Sequence, residues 1–189
     1  MNKFKIVIAL ILITIGVIGR FFLVSYIGIP NLEIITVLAL ISGIYLGGVY
    51  TVAVPLLTIF LSDLVIGNTY IFIFTWTAFA IIGLLGYVSR KVPNLKLGSK
   101  WKKSVVLALL SSIFFYIYTN FGWWLMSGMY EYSLSGLIRC YYMAIPFFRN
   151  NLVGNLIFVP AGIYIASKVF SYSKEKCYSF SIEKNEKSM

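Results

Sequence analysis

The sequence contains no histidine, only two cysteines and only six acidic residues in 189 positions. The absence of histidine excludes metal centres and proteases built on imidazole. Cys140 and Cys177 are too few for a cysteine-rich metal site, and one aspartate with five scattered glutamates forms no carboxylate cluster. Phosphate-binding loops of the GxxxxGK[ST] or GxGxxG type are also missing. The sequence therefore predicts a protein that is not an enzyme and that uses no cofactor.

Charged residues are also scarce. They make up 12% of the chain, against about 25% in soluble domains, and hydrophobic residues make up 60%. A soluble fold of this length exposes roughly a third of its surface and could not hide so much apolar area. The sequence predicts a multi-pass protein of the cell membrane, surrounded by lipids. The net charge of +10 then reflects topology, and no nucleic-acid partner is expected.

Long charge-free runs locate the expected membrane-spanning helices, since about 20 apolar residues cross the hydrocarbon core. The run that begins at residue 34 is too long for one ordinary span. It contains Gly47 and Gly48, which suit a tight turn. Either one overlong tilted helix or two short helices would explain this run, and the distribution of positive charge decides between them.

Positive charge clusters at the N-terminus, in segment 89–103 and in the C-terminal tail. Because Lys and Arg concentrate in cytoplasmic segments, all three clusters are expected on that side. An even number of crossings must then separate Lys5 from segment 89–103, which favours two short helices. The predicted fold is an all-α membrane protein with six transmembrane helices and both termini cytoplasmic. The helices of this single domain, residues 1–170, are expected at about 6–25, 32–46, 49–66, 70–88, 104–122 and 151–168.

The same arrangement places residues 127–148 outside the membrane, where the apolar segment 137–148 would lie in the interface or re-enter the bilayer. The polar tail, residues 171–189, is expected to be disordered. Cys140 and Cys177 would lie on opposite sides, which excludes a disulfide between them. All but three of the sixteen Lys and Arg fall on the cytoplasmic side; the exceptions are Arg20, Arg139 and Arg149.

Polar residues outside the cytoplasmic clusters converge on the outer half of the predicted bundle. A charge at the centre of a spanning helix costs roughly 2.5–3.5 kcal/mol, so such residues face one another or a wet cavity. Buried ion pairs, such as Asp63 with Arg20 or Arg149, would satisfy this requirement without a ligand. The cluster as a whole favours a cavity, because the inner half has no comparable group. The candidate substrate-binding residues are Arg20, Glu33, Asp63, Asn68, Asn120, Trp123, Trp124, Arg139, Arg149 and Asn150.

Aromatic residues make up 17% of the chain and crowd the same outer half. For most of them an interfacial belt is the preferred explanation. A belt needs anchors at both faces, however, and the inner face has few beyond Tyr87 and Trp101. The surplus would stack on a flat ligand, and Trp123 and Trp124 are the first candidates.

Small residues recur every fourth position in the second predicted helix, at Ala39, Gly43 and Gly47. This spacing lets a second helix approach closely. Packing inside the bundle explains it better than oligomerisation does, although both interpretations stay open.

Three stretches resemble a family of small prokaryotic integral membrane proteins of uncharacterised function. They run from Pro55-Leu56-Leu57 to Leu61-Ser62-Asp63, through Thr119-Asn120-Phe121-Gly122, and from Ala144 to Asn150 with Gly154-Asn155. That family commonly has an acidic residue where this chain has Asn155. The resemblance implies a membrane location and no particular activity.

The architecture also resembles the substrate-binding S components of energy-coupling factor (ECF) vitamin transporters. Those are six-helix proteins with cytoplasmic termini and a ligand near the outer face. The resemblance implies a transmembrane coupling protein and ATPases as partners, which would supply the nucleotide site that this chain lacks. Many S components carry an Ala-x-x-x-Ala docking pattern in helix 1, whereas here Ala9 is followed four residues later by Ile13.

These features predict a transporter subunit that captures a small, vitamin-like solute at the outer face and relies on a separate ATPase module. A stand-alone carrier that uses Asp63 or Glu33 is the main alternative. It would need a polar path through the inner half, where the sequence offers only Ser, Thr and Tyr. A non-transport membrane protein with a structural role is the remaining alternative.

Overall fold

The computed structural model describes residues 3–91 and 100–186, with side chains for residues 3–90 and 101–172. The described residues form six α-helices joined by short connections, with no strand among them. The middle of the basic segment 89–103 and the last three residues of the tail lie outside the described residues. The helices are α1 (Lys3–Phe22), α2 (Ile35–Ile41), α3 (Tyr50–Ile66), α4 (Phe72–Lys91), α5 (Lys100–Met126) and α6 (Leu134–Glu186).

Two of these helices end in a wider, π-helical turn. α1 continues as the π-helical segment Leu23–Ile27, and α2 continues as Ser42–Leu46. The second segment stops at Gly47, whose φ of 66° is one that residues with a Cβ rarely adopt. The long apolar run is therefore two helices, as the sequence predicts.

α2 is the central helix of the bundle. All seven residues of Ile35–Ile41 are buried, and α2 contacts α1, α3, α4 and α6. With its π-helical segment it covers only about 18 Å, less than the ~30 Å of a hydrocarbon core. Since its surface is apolar on all sides, it is stabilised by the helices that surround it.

Glycines allow α2, α3 and α4 to pack at very short range. A Cβ added to Gly43 would lie 2.2 Å from the carbonyl oxygen of Gly83, and one added to Gly83 would lie 2.2 Å from that of Thr51. Gly86 likewise faces the backbone of Leu40. The small residues of α2 therefore serve packing inside the bundle, and Gly43 is the member that permits closest approach.

Four helical segments are long and apolar enough to cross a membrane, and they identify the chain as a membrane protein by length and composition. Many of their large apolar side chains point away from the bundle, including Leu10 and Ile18 of α1, which are 58% and 63% exposed. Such a surface is typical of helices that face lipid. The four segments are Lys3–Ile27, Phe72–Arg90, Trp101–Met126 and Leu134–Tyr172.

α6 differs most from the helices expected from the sequence. It begins at Leu134 instead of about 151, so most of the predicted outer excursion 127–148 is helical. Its backbone also stays helical through Glu186, where the sequence predicts a disordered tail. At 53 residues the helix is about 80 Å long. Pro146, which lacks a donor for the helix, lies inside it.

Packing against α5 explains the early start of α6. The hydroxyl of Tyr116 donates to the carbonyl oxygen of Tyr141 at 2.7 Å, and the hydroxyl of Tyr141 donates to that of Ile117 at 2.8 Å. These contacts accompany burial of apolar surface between α5 and α6. That burial stabilises the helix more than Pro146 destabilises it. Arg139 and Arg149 are both exposed on this helix.

The bundle has two distinct ends. At one, here called the cavity end, lie the connections 28–34, 67–71 and 127–133. At the other, here called the opposite end, the start of α1, the turn at 47–49 and the end of α4 come together. The polar residues singled out from the sequence belong to the cavity end.

Candidate functional site

A cavity of about 550 Å³ opens at the cavity end between α4, α5 and the first turns of α6. Its size is within the range of small-molecule sites, which is about 300–1,000 Å³. Aromatic rings, methionines and neutral polar groups line it, and no charged side chain is among the lining residues. The lining residues include Asn31, Thr75, Phe115, Thr119, Asn120 and Trp123.

A smaller cavity of about 220 Å³ adjoins the first. The two share Asn31, Thr75 and Phe115 as walls. Arg20 and Glu33 line the smaller cavity and bring charge to it. A ligand that occupied both would therefore meet neutral amides and rings at one end and ionisable groups at the other.

The loop before α2 contributes Asn31 to both cavities, and α6 holds this loop in place. Asn150 donates from Nδ2 to the carbonyl oxygen of Pro30 at 3.0 Å, and Asn151 donates to that of Asn31 at 3.4 Å. Asn31 has a φ of 58°, a left-handed conformation that Asn tolerates better than most residues. Asn150 therefore positions this loop and is not among the residues that line either cavity.

Arg20 and Asp63 join α1 to α3 beside the smaller cavity. Nη1 of Arg20 lies 2.5 Å from Oδ1 of Asp63, and it also donates to the hydroxyl of Ser62 at 2.6 Å. The other carboxylate oxygen accepts from Nε1 of Trp76 at 2.8 Å. Both carboxylate oxygens of Asp63 thus have partners. Asp63 is not among the residues that line either cavity. Of the two partners that the sequence suggests for Asp63, Arg20 is the one that forms the ion pair.

Glu33 lies two residues before the start of α2, and its side chain caps that helix. One carboxylate oxygen accepts from the backbone N–H of Ile35 at 2.6 Å and of Thr36 at 3.1 Å. The other accepts from the hydroxyl of Thr36 at 2.5 Å. A negative group at this position satisfies amides that the first helical turn leaves without partners and interacts favourably with the helix dipole.

Asn120 and Trp123 of α5 both face the larger cavity. Asn120 uses its Nδ2 to donate to the carbonyl oxygen of Tyr116 at 2.7 Å, which leaves its Oδ1 as an acceptor. Trp124, one residue further on, faces away: its Nε1 donates to the carbonyl oxygen of Glu131 at 2.9 Å, and its ring packs against Phe121 and Tyr132. Trp123 is therefore placed to contact a ligand, and Trp124 holds the α5–α6 connection.

The remaining sequence candidates lie outside both cavities. Asn68 is exposed and accepts from the backbone N–H of its neighbour Thr69 at 2.8 Å. Arg139 and Arg149 are exposed on α6, and neither forms an ion pair within the described part of the chain. Of the ten candidates, four line the cavities: Arg20, Glu33, Asn120 and Trp123.

Two cavity residues carry no feature that would single them out in the sequence. Thr75 and Phe115 are ordinary members of apolar helices, and only their direction within the bundle brings them to the cavity. Asn31 does have a recognisable signal, since it is an amide beside a proline in a short connection. Within the described residues, no group of three His, Cys, Asp or Glu could hold a metal ion.

The comparison with known families decides what the chain is related to. Residues 1–174 match the model of a family described as Family of unknown function (DUF6580). The chain belongs to this family. No curated protein matches it. No solved structure matches it either.

For this DUF6580 member, the geometry of the cavity end therefore carries the functional argument. The larger cavity can bind a small molecule through ring contacts with Trp123 and Phe115 and through the Oδ1 of Asn120. It offers no paired acid and base and no activated nucleophile among its lining residues. The arrangement is suited to binding.

Proposed function

We propose that this protein is the solute-binding membrane subunit of a small-molecule transporter. The observation that carries the proposal is the cavity of about 550 Å³ at the cavity end, lined by rings and amides and adjoined by a smaller one with Arg20 and Glu33. A concave site of this size, lined mostly by apolar and aromatic groups with a few convergent polar ones, is typical of small-molecule binding sites.

We infer that the chain crosses the cell membrane six times, with both termini in the cytoplasm. The described side chains of Lys and Arg support this topology, since the cations near the N-terminus and at the end of α4 gather at the opposite end. Among the cations with described side chains, Arg20, Arg139 and Arg149 depart from this distribution. The cavity end would then face outward, where a solute arrives.

The solute that fits this site best is planar and polar at its edges, as many vitamins are. Trp123 offers a flat surface for stacking, and its Nε1 makes no hydrogen bond to any described residue. Asn120 offers an acceptor. Because the larger cavity has no charged lining residue, we expect a solute whose main body is neutral; an ionised end would extend toward Arg20.

Transport by this subunit would depend on a partner that hydrolyses ATP, as the resemblance to ECF S components implies. Between the two ends, α2 fills the middle of the bundle with fully buried Ala39 and Leu40, so a continuous polar path for a stand-alone carrier is not favoured. Ala9 of α1 is buried inside the bundle. A coupling protein docked on α1 would therefore meet its exposed apolar face, with Val7 and Leu10, instead of an alanine pattern.

A binding assay on the purified protein tests the proposal. We expect at least one compound from a panel of water-soluble vitamins and their precursors to raise the melting temperature. Trp123→Ala and Asn120→Ala should abolish this shift. Trp101→Ala is the matched control, because Trp101 is 60% exposed near the start of α5, far along the helix from the cavity. A folded protein that no compound in the panel stabilises would contradict the proposal.

A further inference from the structure

A third cavity lies at the opposite end of the bundle and plays no part in the proposed function. It has a volume of about 530 Å³ and lies between the start of α1, the π-helical end of α2, the end of α4 and the C-terminal half of α6. We call it the basic cleft. Its described walls are Lys5, Ile44, Tyr45, Arg90, Ser167, Phe170 and Ser171.

Two cations of the basic cleft converge on the end of α2. Nζ of Lys5 donates to the carbonyl oxygen of Leu46 at 2.6 Å. The guanidinium of Arg90 lies over the next residue, since a Cβ added to Gly47 would be 2.9 Å from Nη1 of Arg90. Glycine at position 47 thus leaves the space that the guanidinium occupies.

The positive charge of the basic cleft has no counter-charge among the described side chains. The acidic residues with described side chains are Glu33, Asp63 and Glu131, and all three belong to the cavity end. The ion pair that the described residues form is Arg20–Asp63, also at the cavity end. Two neighbouring cations repel each other, and an anion between them would remove that repulsion.

The hydrogen bond to the end of α2 engages only part of the donor capacity of Lys5 and Arg90. Lys5 uses one of its three donors on the carbonyl oxygen of Leu46. Arg90 is exposed and forms no hydrogen bond within the described chain, so its planar set of donors is available to a tetrahedral oxyanion. The rest of the wall consists of Ser167, Ser171, Ile44 and the rings of Tyr45 and Phe170, which stack at 4.7 Å.

We propose that the basic cleft binds a phosphate group, and that the headgroup of an anionic phospholipid supplies it. The charged groups would hold the phosphate, and Ile44 and the Tyr45–Phe170 stack would contact the glycerol and the first acyl carbons. A soluble phosphate has the charge but no apolar part to cover these rings, which favours the lipid as the source. The inference does not depend on the proposed function.

Lipid binding to the full-length, delipidated protein tests this inference. Native mass spectrometry would be recorded in neutral detergent with added phosphatidylglycerol, with phosphatidylcholine, and with inorganic phosphate. The variant is Lys5→Gln/Arg90→Gln. The matched control is Lys3→Gln/Lys168→Gln, which removes the same charge at the same end from residues that do not line the cleft. Arg90→Gln alone is added, because it disturbs no hydrogen bond of the described fold.

We expect one phosphatidylglycerol to bind saturably, with about fivefold weaker binding for each cleft cation removed, and little change in the control. Phosphatidylcholine should bind much more weakly. Binding of inorganic phosphate with the same dependence on Arg90 would confirm the phosphate site and make the soluble anion its source. Equal losses in the variant and the control, or no difference between the two lipids, would overturn the proposal.

Discussion

Arg20 and Asp63 are 43 positions apart in sequence and form an ion pair of 2.5 Å that links α1 to α3. Their side chains are 18% and 6% exposed, and Trp76 and Ser62 complete the hydrogen bonding. A pair so placed lets two charged groups lie among apolar helices without facing lipid. Arg20 also lines the smaller cavity. The same residue therefore contributes both to the stability of the bundle and to the candidate site.

Loss of one member of the pair should destabilise the protein. Asp63→Asn keeps an acceptor for Trp76 but leaves the charge of Arg20 unpaired. We expect unfolding free energy to fall by about 3 kcal/mol, the lower end for a buried pair because Arg20 is partly exposed. Chemical denaturation in detergent measures this. The double variant Arg20→Met/Asp63→Leu should lose less than Asp63→Asn does; an equal or larger loss would contradict this account.

The two neighbouring tryptophans of α5 should behave differently when truncated. Trp123→Ala removes a cavity wall and should weaken solute binding with a small change in melting temperature. Trp124→Ala removes the hydrogen bond to Glu131 and the contacts with Phe121 and Tyr132. It should lower the melting temperature and leave the binding constant of the remaining folded protein nearly unchanged. The reverse assignment of these two effects would show that the cavity is not the binding site.

Gly83 should not tolerate a methyl group. Gly83→Ala would place Cβ 2.2 Å from the carbonyl oxygen of Thr51, a backbone atom that cannot move without shifting α3. We expect a loss of several kcal/mol, or failure to fold. Gly19→Ala is the control, because its Cβ would make ordinary contacts at 3.4 Å with Ile34 and alanine favours helix. Melting temperatures of the two variants, or their yields of monodisperse protein, compare them.

The proposed six-crossing topology can be tested by labelling single cysteines in a Cys140→Ser/Cys177→Ser background. Asn68→Cys and Met129→Cys lie at the cavity end and should react with a membrane-impermeant maleimide on intact cells. Val49 lies in the turn after α2 and is 67% exposed. The variant Val49→Cys should react only after the membrane is permeabilised. Labelling of all three from one side would refute the single crossing that α3 makes between Val49 and Asn68.

The helix count and the break between α2 and α3 could be predicted because both depend on local properties of the chain. Charge-free runs of sufficient length form helix in an apolar solvent, and Gly47 with φ of 66° ends α2 where glycine pairs suit a turn. The segregation of Lys and Arg from the polar residues of the cavity end is likewise visible in the sequence. The start of α6 was not predictable in this way, because it depends on contacts between Tyr141 and α5.

The candidate site was predictable as a region but not residue by residue. Trp123 and Trp124 are adjacent and chemically identical, yet successive residues on a helix point about 100° apart, so one lines the cavity and the other holds a loop. Asp63 stood out as a lone acid in an apolar run, but its partners come from two other helices. Composition and spacing alone determined that this is a helical membrane protein with polar groups gathered toward one end. Only the packing of the helices decided which of those groups neutralise one another and which are left facing a cavity, because that depends on how each helix is rotated against its neighbours.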